Sequence, residues 1–367
     1  MYNPAMQQCP NPDICGSCGF SHLKYEDQLA QKKHLVNCAK IIPSPKTTHY
    51  RNRMDFVINY QGKVGLREKG KWWSVIDNHT CFIANEKIEE KFAQVRKWVQ
   101  TCGLSFYDRK GHQGLLRYAV IRATTTGETM INIITSQPTQ AEPESLITSK
   151  LNDLHATTVI WSVNKSDSDI SYGDEIRIIK GDGYINEIIA DLKFLIRPNS
   201  FFQTNSHGAK ELLDLVVSFA KDVKPAKILD LYCGGGFFSL GVKKAMPDTE
   251  IYGIELVEDA ILDAKDNATS NNLDIEFSVG KAEDLNWETY KPDLVILDPP
   301  RSGLHPKVLK TLLELEIPNL IYVSCKYQSF AKDYQMLSTR YKAKDCVAVD
   351  MFPQTEHVEL VTFLKLQ

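Results

Sequence analysis

The sequence predicts an α/β protein with a doubly wound, mostly parallel sheet in its C-terminal half, preceded by an α+β domain. From Ala226 onward, short apolar runs alternate with helical segments, as in a parallel sheet covered by helices. A glycine-rich turn, Gly234–Gly236, follows the first run. The runs Leu294–Leu297 and Ile321–Cys325 lead to an Asp-Pro-Pro-Arg turn and a cysteine. Because ligands of such sheets bind beyond the carboxyl ends of the strands, we expect chemistry at this edge.

Length, composition and charge narrow the class of protein. A chain of 367 residues favours two domains. Neither a membrane span nor a signal peptide is predicted, which favours a cytoplasmic protein. The nine cysteines would stay reduced there, so metal or catalytic use is favoured over disulfides. Residues 1–75 hold eleven Lys or Arg and five Asp or Glu, a balance of +6 in a chain of net charge −3, which predicts a nucleic-acid-binding face.

The first predicted segment, residues 1–22, is a cysteine-rich loop. Cys9, Cys15 and Cys18 lie in a stretch rich in Pro, Asn and Gly, with no helix or strand pattern. Cys81, which follows a polar turn, is the best candidate for a fourth ligand. Four thiolates suit zinc and an iron–sulfur cluster equally well, and their spacing does not choose between the two.

The second segment, 23–197, is predicted to be an α+β domain that binds RNA. Leu23–Cys38 has a helical period, and Tyr50–Tyr60 alternates as a strand before turning into Lys63–Glu68. Arg51 and Arg53 interleave with aromatic residues in this hairpin, a mixture suited to phosphate and base contacts. Further elements are predicted at Glu86–Thr101 (helix), Tyr118–Ala123, Met130–Thr135, Pro143–Leu154 (helix), Val159–Asn164, Ile176–Ile179 and Leu192–Ile196.

The third segment, 198–367, carries the strand–helix alternation. Asn205 or Ser206 can cap a helix that runs to about Lys221. The predicted strands are Lys227–Cys233, Ile251–Glu255, Ile275–Val279, Leu294–Asp298, Leu320–Cys325 and a terminal hairpin near Cys346–Met351 and Val358–Lys365; helices are predicted through Lys244 and over Glu258–Asn272, Pro306–Leu315 and Gln328–Leu337.

The glycine turn predicts a nucleotide-type cofactor. Such a turn, with an acid ending the second strand, is common to NAD and S-adenosylmethionine sites. The turn departs from G-x-G-x-x-G, and with Asp298-Pro299-Pro300 the better interpretation is S-adenosylmethionine. Glu255 would hold the ribose, Tyr232 would pack beside the nucleoside, and Asp298 would face the methionine end.

These residues together resemble the RNA (uracil-C5)-methyltransferases, which form 5-methyluridine in rRNA or in the tRNA T-loop. The resemblance spans nearly the whole chain and rests on the Cys9/Cys15/Cys18 run with His22–Tyr25, Tyr50–Asn52, Phe201–Asn205, Asp230–Gly234, Asp298–Arg301, Ser324–Cys325, Asp350–Pro353 and His357–Glu359. It implies a Rossmann-like methyltransferase domain. It also implies a [4Fe-4S] cluster on the four cysteines, with a structural or RNA-positioning role.

The resemblance also implies the reaction and its residues. Cys325 would be the nucleophile and Glu359 the base, while Gln203, Tyr232, Glu255 and Asp298 would bind the cofactor. Thiolate addition to C6 makes C5 of uracil nucleophilic, so the cysteine needs a lowered pKa. The chain looks most like the short enzymes that modify 23S rRNA and lack an N-terminal β-barrel. The tRNA T-loop is the alternative substrate, and a monomer is expected.

Some assignments stay open at this point. Phe237 stands where many members have Asn or Thr, and Phe201 or Phe202 could stack on a base or merely pack. Cys233 is a rival nucleophile, while Cys38, Cys102 and Cys346 are predicted to be buried, unpaired thiols. An amino-group methyltransferase that does not need Cys325, and a metal-cluster RNA-binding module with an inactive methyltransferase half, are the other two interpretations.

Overall fold

The computed structural model describes residues 9, 11 and 14–367, with only the backbone described at Glu288. The remaining residues of the predicted cluster loop 1–22 lie outside this description. Its helices are α1 Tyr25–Leu35, α2 Glu86–Thr101, α3 Glu144–Leu151, α4 Ser206–Val223, α5 Phe237–Ala245, α6 Glu258–Ser270, α7 Pro306–Leu315 and α8 Tyr327–Leu337. Its strands are β1 Lys40–Ile42, β2 Arg53–Ile58, β3 Val64–Glu68, β4 Lys71–Asp77, β5 Leu116–Ala123, β6 Thr129–Thr135, β7 Thr158–Val163, β8 Glu175–Lys180, β9 Ile185–Ile189, β10 Leu192–Ile196, β11 Lys227–Leu231, β12 Glu250–Glu255, β13 Glu276–Val279, β14 Leu294–Leu297, β15 Asn319–Ser324, β16 Tyr341–Val349 and β17 Glu359–Leu366.

The chain forms two compact units that do not follow the order of the sequence. The first unit comprises Met1–Lys24, Thr47–Glu187 and Leu195–Asn199. The second comprises Tyr25–Lys46, Ile188–Phe194 and Ser200–Gln367. Residues 25–46, which the sequence places in the central domain, therefore group with the C-terminal half.

Two contacts hold the segment 25–46 in the second unit. Strand β1 adds to the C-terminal sheet by pairing in parallel with β16, with Lys40 opposite Val347. On α1, the Lys32 ammonium donates to Asp350 over 2.6 Å, and both side chains are fully buried. A buried charge needs such a partner, and periodicity along α1 does not reveal a partner 318 residues away.

The first unit is built on a seven-stranded sheet in the order β4-β3-β2-β5-β6-β7-β8. Its pairs are antiparallel except β6 with β7. The helix α2 begins after Asn85, whose side chain accepts a hydrogen bond from the Lys87 backbone and satisfies one of the free amides of the first turn. Its apolar face, which includes Ile88, Phe92 and Val95, is buried in the core of this unit.

The second unit contains the predicted doubly wound sheet. Its eight strands run in the order β1-β16-β17-β15-β14-β11-β12-β13, and β17 is antiparallel to both of its neighbours. Strand β14 alternates between two apolar clusters: Ile296 lies in the cluster that contains α4, α5 and α6 residues, and Val295 lies in the one that contains α7 and α8 residues. Burial on both faces explains why the central strands are continuously apolar. The predicted fold class is confirmed.

Cys38 and Cys346 form a disulfide, although the sequence predicts unpaired, buried thiols for both. Their Cα atoms are 5.9 Å apart, within the range that a disulfide spans. Pairing of Lys40 with Val347 brings the cysteines together from positions 308 residues apart. Among the described cysteines, Cys102 is buried and unpaired, as predicted. None of the helices in the described part of the chain is long and apolar enough to span a membrane.

Candidate active site

The two predicted catalytic residues, Cys325 and Glu359, and the predicted cofactor-binding residue Asp298 lie at the ends of three strands in the second unit. Asp298 directly follows β14, and Cys325 directly follows β15, its parallel neighbour. Strand β17 runs the opposite way and begins at Glu359, with Leu360 paired to Ser324. Because the two strands are antiparallel, the residue after Ser324, Cys325, lies beside the residue before Leu360, Glu359. The strand order therefore brings together a thiol and two carboxylates that are far apart in the sequence.

The Cys325 thiol is half-buried, and its pKa is raised. The sequence predicts the opposite, because a cysteine that reacts as a thiolate needs a lowered pKa. Burial raises the pKa of Cys325 most, followed by the negative charges of Glu359 and Asp298. Arg301 acts the other way, because its charge and its hydrogen bond to the thiol lower the pKa. Arg301 belongs to the Asp-Pro-Pro-Arg motif, but it is not among the predicted site residues.

Glu359 is buried, with 5% of its surface exposed, and is not a solvent-facing residue at the end of a strand. Burial raises the pKa of Glu359 to about 7, against the opposing positive charge of Arg301. A carboxyl group with a pKa near neutrality can exchange a proton at physiological pH. Its position and its pKa both suit a general base.

Asp298 belongs to a group of interacting carboxylates. Burial, followed by the charges of Glu359, Asp230 and Glu255, raises the pKa of Asp298 well above its usual range. Asp230 is fully buried, and burial raises its pKa to about 7 although Ser239 donates a hydrogen bond to it. This concentration of acidic groups favours a ligand that carries a positive charge.

The glycine turn between β11 and α5 leaves open space at Gly234. Tyr232, Gly234 and Gly236 have φ values of 63°, 51° and 82°, the left-handed region that glycine enters at little cost. A Cβ added at Gly234 would meet no atom within 4 Å, so space is open beside this backbone. Glu255, at the end of β12, faces the turn, because one of its oxygens accepts from the Gly234 amide over 3.3 Å. A carboxylate beside open glycine backbone fits a ribose-bearing ligand.

Tyr232 and Gln203, two of the predicted cofactor-binding residues, are both half-buried. The half-buried Tyr232 hydroxyl is hydrogen-bonded to the His305 backbone, and burial raises the pKa of Tyr232 to about 12. Gln203 is also half-buried, in the segment just before α4. Asn205 caps that helix by accepting from the Gly208 amide over 3.0 Å, which orients the preceding segment.

The aromatic residues near the turn divide into packed and exposed rings. Phe237 and Phe202 both pack against Phe194, with ring centroids 5.5 Å apart in each case. Phe201, by contrast, is 74% exposed. Of the two phenylalanines that could stack on a base, Phe201 is the available one. Cys233 is buried, and burial raises the pKa of its thiol well above 9.0, which argues against this rival nucleophile.

The four predicted metal ligands lie near one another in the first unit. Cys9, Cys18 and Cys81 are buried. Burial raises the pKa of Cys18 to about 12, and the charges of the other three thiols add to this effect. Such mutual repulsion requires proximity.

His79 contacts the same group of thiols. A hydrogen bond from His79 lowers the pKa of Cys15 to about 7. Burial acts to lower the pKa of His79, but hydrogen bonds to Cys15 and Cys81 raise it to about 9. Within the described part of the chain, no group of three or more His, Cys, Asp or Glu side chains is arranged to hold a metal ion. The four thiols are suitable ligands for a soft metal or a cluster, but in the described residues they are not arranged as a metal site.

Known proteins with similar sequences include several RNA methyltransferases. Residues 170–367 match the family model described as tRNA (uracil-5-)-methyltransferase. A Pyrococcus horikoshii tRNA (uracil(54)-C(5))-methyltransferase is 38% identical over 95% of this chain and 83% of its own length. An uncharacterized RNA methyltransferase of Caldanaerobacter subterraneus is 37% identical over 97% of this chain and 84% of its own.

A solved structure shares the fold over almost the whole chain. It is the Pyrococcus abyssi tRNA (uracil-54, C5)-methyltransferase in complex with S-adenosyl-L-homocysteine, which matches with a TM-score of 0.82 and 36% identity over 95% of this chain and 85% of that one. Together with the strand-end thiol and the open glycine turn, these likenesses establish the family. The chain belongs to the tRNA (uracil-5-)-methyltransferase family and is an S-adenosylmethionine-dependent RNA (uracil-C5)-methyltransferase.

Proposed function

We propose that this enzyme methylates C5 of uridine 54 in the T-loop of tRNA. The sequence favours 23S rRNA, but similar proteins from P. horikoshii and P. abyssi are named as tRNA (uracil(54)-C(5))-methyltransferases. The observation that carries the chemical part of the proposal is the meeting of Cys325, Glu359 and Arg301 where β15 and β17 adjoin. Large-subunit rRNA is the alternative substrate, and the experiment below distinguishes it from tRNA.

The proposed reaction begins at Cys325. Its thiolate adds to C6 of uracil, the C5–C6 π electrons move toward the O4 carbonyl, and C5 becomes an enolate carbon. S-Adenosylmethionine supplies the methyl group, which C5 takes as the bond from sulfur to methyl breaks, leaving a neutral thioether. Glu359 then removes the proton from C5, the C5–C6 double bond forms again, and Cys325 leaves C6.

The side chains around the thiol prepare these steps. Arg301 favours the thiolate against the burial and the carboxylates that oppose it. Glu359, with its pKa of about 7, accepts the C5 proton and can release it to solvent. The uracil ring must leave the RNA stack to reach such a site, as base-modifying enzymes require. Phe201, the exposed ring, is available to stack on it.

The cofactor residues act by position and charge. Glu255 and the Gly234–Gly236 turn hold the ribose end, Tyr232 packs beside the nucleoside, and Asp298 faces the methionine end. Gln203 is a further cofactor contact. The carboxylates of Asp298, Glu255 and Asp230, which interact with one another, complement a cationic sulfonium.

We also propose that Cys9, Cys15, Cys18 and Cys81 hold a [4Fe-4S] cluster that orders the N-terminal loop. The mutual proximity of these thiols supports it. Anaerobically prepared protein should contain iron and sulfide and absorb visible light, and Cys81→Ser should lose both while retaining S-adenosylhomocysteine binding. Zinc in colourless protein would contradict the cluster.

The substrate is tested by incubating the protein with S-adenosylmethionine and RNA transcripts and mapping 5-methyluridine by mass spectrometry. An unmodified tRNA transcript should gain one methyl group at uridine 54, and a matched transcript with cytidine there should gain none. Methylation confined to large-subunit rRNA would overturn the proposed substrate while leaving the chemistry intact.

A further inference from the structure

A cavity of about 250 Å³ in the first unit is lined by exposed aromatic rings. Trp72, Trp73 and Tyr60 are 49%, 55% and 57% exposed. Large aromatic side chains that face water leave much apolar surface uncovered, and clustering of such rings marks a binding surface more often than chance exposure. None of the residues lining this cavity is among those assigned to cofactor or uracil.

The backbone is irregular where it places the two tryptophans. Strand β4 is an edge strand, and its pairing with β3 runs from Arg67 opposite Val75 to Glu68 opposite Lys71. One step along β3 thus corresponds to four along β4, and residues 72–74 fall outside the ladder. Consecutive side chains of a regular strand point to opposite faces, but a bulge can re-aim them. Both tryptophan rings therefore line the same cavity, edge to face with centroids 5.8 Å apart.

Another wall of the cavity is formed by Arg109, whose charge is paired with that of Asp169. Arg109 is held by Asp169 over 2.7 Å and by the carbonyls of Ile58 and Arg117, each over 3.0 Å. Its guanidinium also lies over the Tyr118 ring, 5.0 Å from the centroid. These bonds fix the wall before any ligand arrives.

The lining also carries an exposed cation that can contact a phosphate. Lys110 adds an exposed ammonium, while the nearby Asp108 carboxylate accepts from the Lys110 and Gly111 amides and so is engaged within its own turn. Lys63, on the hairpin between β2 and β3, is exposed as well. Aromatic rings beside cations bind unpaired nucleotides. The rings stack on the faces of the bases, and the cations attract the negatively charged phosphodiester groups.

We propose that this cavity, lined by Trp72, Trp73 and Tyr60, stacks an unpaired base of the substrate RNA other than the target uridine. The inference rests on the proposed function, in that RNA is the substrate, but it does not depend on whether that RNA is tRNA or rRNA. The site contributes to affinity and positioning, not to the chemical steps.

The test compares RNA affinities of matched variants. Fluorescence anisotropy is measured with a short, labelled single-stranded RNA and with an unmodified tRNA transcript. Trp72→Ala/Trp73→Ala should weaken binding of both on the order of tenfold, because each stacked base contributes that much or more. Trp72→Tyr/Trp73→Tyr keeps two stacking rings and should retain most of the affinity. The control, Ile176→Ala/Ile178→Ala, removes side chains that are 43% and 55% exposed on β8, the opposite edge strand, and should bind as the wild type does.

A second measurement does not require the alanine variant to fold. RNA should quench the intrinsic tryptophan fluorescence of the wild type, and the Tyr/Tyr variant should lose most of that quenching. Unchanged affinity in a folded Ala/Ala variant, or undiminished quenching in Tyr/Tyr, overturns the inference. Absence of methyl transfer by wild-type protein that binds the short RNA would instead count against the proposed function.

Discussion

At the scale of single residues, the candidate active site is rich in acidic side chains. The pKa of the Cys325 thiol is raised by burial and then by two carboxylates, and Arg301 is the cation that opposes them. A raised pKa keeps Cys325 mainly as the thiol near neutral pH. Under the proposed function, a sulfonium bound beside Asp298 would add a positive charge and favour the thiolate.

Replacement of Arg301 by Gln should raise the pKa of Cys325 further, because the hydrogen bond and the positive charge are both lost. Alkylation of Cys325 by iodoacetamide at pH 8 should slow by about threefold to tenfold. The rate is followed by mass spectrometry of the modified peptide. Lys332→Gln removes an exposed cation on α8 and serves as the control. An unchanged pH profile of alkylation would rule out this role for Arg301.

Glu359→Gln should separate methyl transfer from the proton removal that follows it. Without the base, an adduct of Cys325 with unsubstituted RNA should accumulate, and turnover should fall by a factor of about 10²–10⁴. In the wild type, turnover should rise with pH through about 7, since a base with a pKa of about 7 is protonated and inactive below that pH. Gel shifts under denaturing conditions detect the adduct.

RNA containing 5-fluorouridine supplies the control for Glu359. Its C5 substituent cannot be removed as a proton, so the adduct should form in the wild type and in Glu359→Gln alike. Cys325→Ala should form none. Failure of Glu359→Gln to trap the 5-fluorouridine RNA would mean that Glu359 acts before the adduct forms.

At the scale of elements, α1 is joined to the C-terminal half by a buried ion pair. Lys32 Nζ donates to Asp350 over 2.6 Å and to the Phe352 carbonyl over 2.9 Å. Gln28, one turn earlier on α1, bonds to Gln354 through both its amide nitrogen and its amide oxygen. These contacts recruit a helix of weak amphipathic character that would not dock through apolar packing alone.

Lys32→Met should lower the free energy of unfolding by about 3–5 kcal/mol, because it leaves the Asp350 carboxylate buried without its cation. Urea unfolding followed by circular dichroism measures the loss. Lys33→Met changes an exposed neighbour on α1 and should have little effect. Lys32→Met/Asp350→Asn should recover part of the stability; equal midpoints for Lys32→Met and Lys33→Met would refute the importance of the pair.

At the scale of the whole molecule, the disulfide between Cys38 and Cys346 closes a very long loop. The two positions are 308 residues apart, so an intact bond restricts most of the unfolded chain. Chain-entropy reasoning assigns up to about 5 kcal/mol to such a closure.

Cys346→Ser should therefore lower the apparent Tm of oxidised protein. Reduced wild type should melt close to the variant, because neither then carries the bond. Differential scanning fluorimetry with and without reductant measures both, and thiol counting confirms the redox state. Cys102→Ser, which changes a buried unpaired cysteine, tests whether losing any cysteine has the same effect. A reductant-insensitive wild type would show that the bond contributes nothing.

The features that could be predicted from the sequence are those encoded by short stretches of neighbouring residues. The strands β14 and β15, the glycine turn and the capped helix α4 each carry a signal within ten or twenty neighbouring residues. The order of strand ends also followed, since parallel strands place their carboxyl ends on one edge. For that reason, the sequence alone assigns Cys325 and Asp298 to one site.

Other features depend on pairings between distant residues. The place of β1 beside β16, the Lys32–Asp350 pair, the Cys38–Cys346 bond and the bulge that turns Trp72 and Trp73 to one side have no local signal. The raised pKa of Cys325 was not predicted either, because it depends on burial and on which carboxylates lie near the thiol in space.

The sequence alone thus determined the fold class, the family and the thiol at the sheet edge, because periodicity and short motifs encode them locally. Only the tertiary structure decided which segments share a unit, which charges surround the nucleophile and which rings face a common cavity. The physical reason is that burial and electrostatic interaction depend on distance in space, which separation along the chain does not specify.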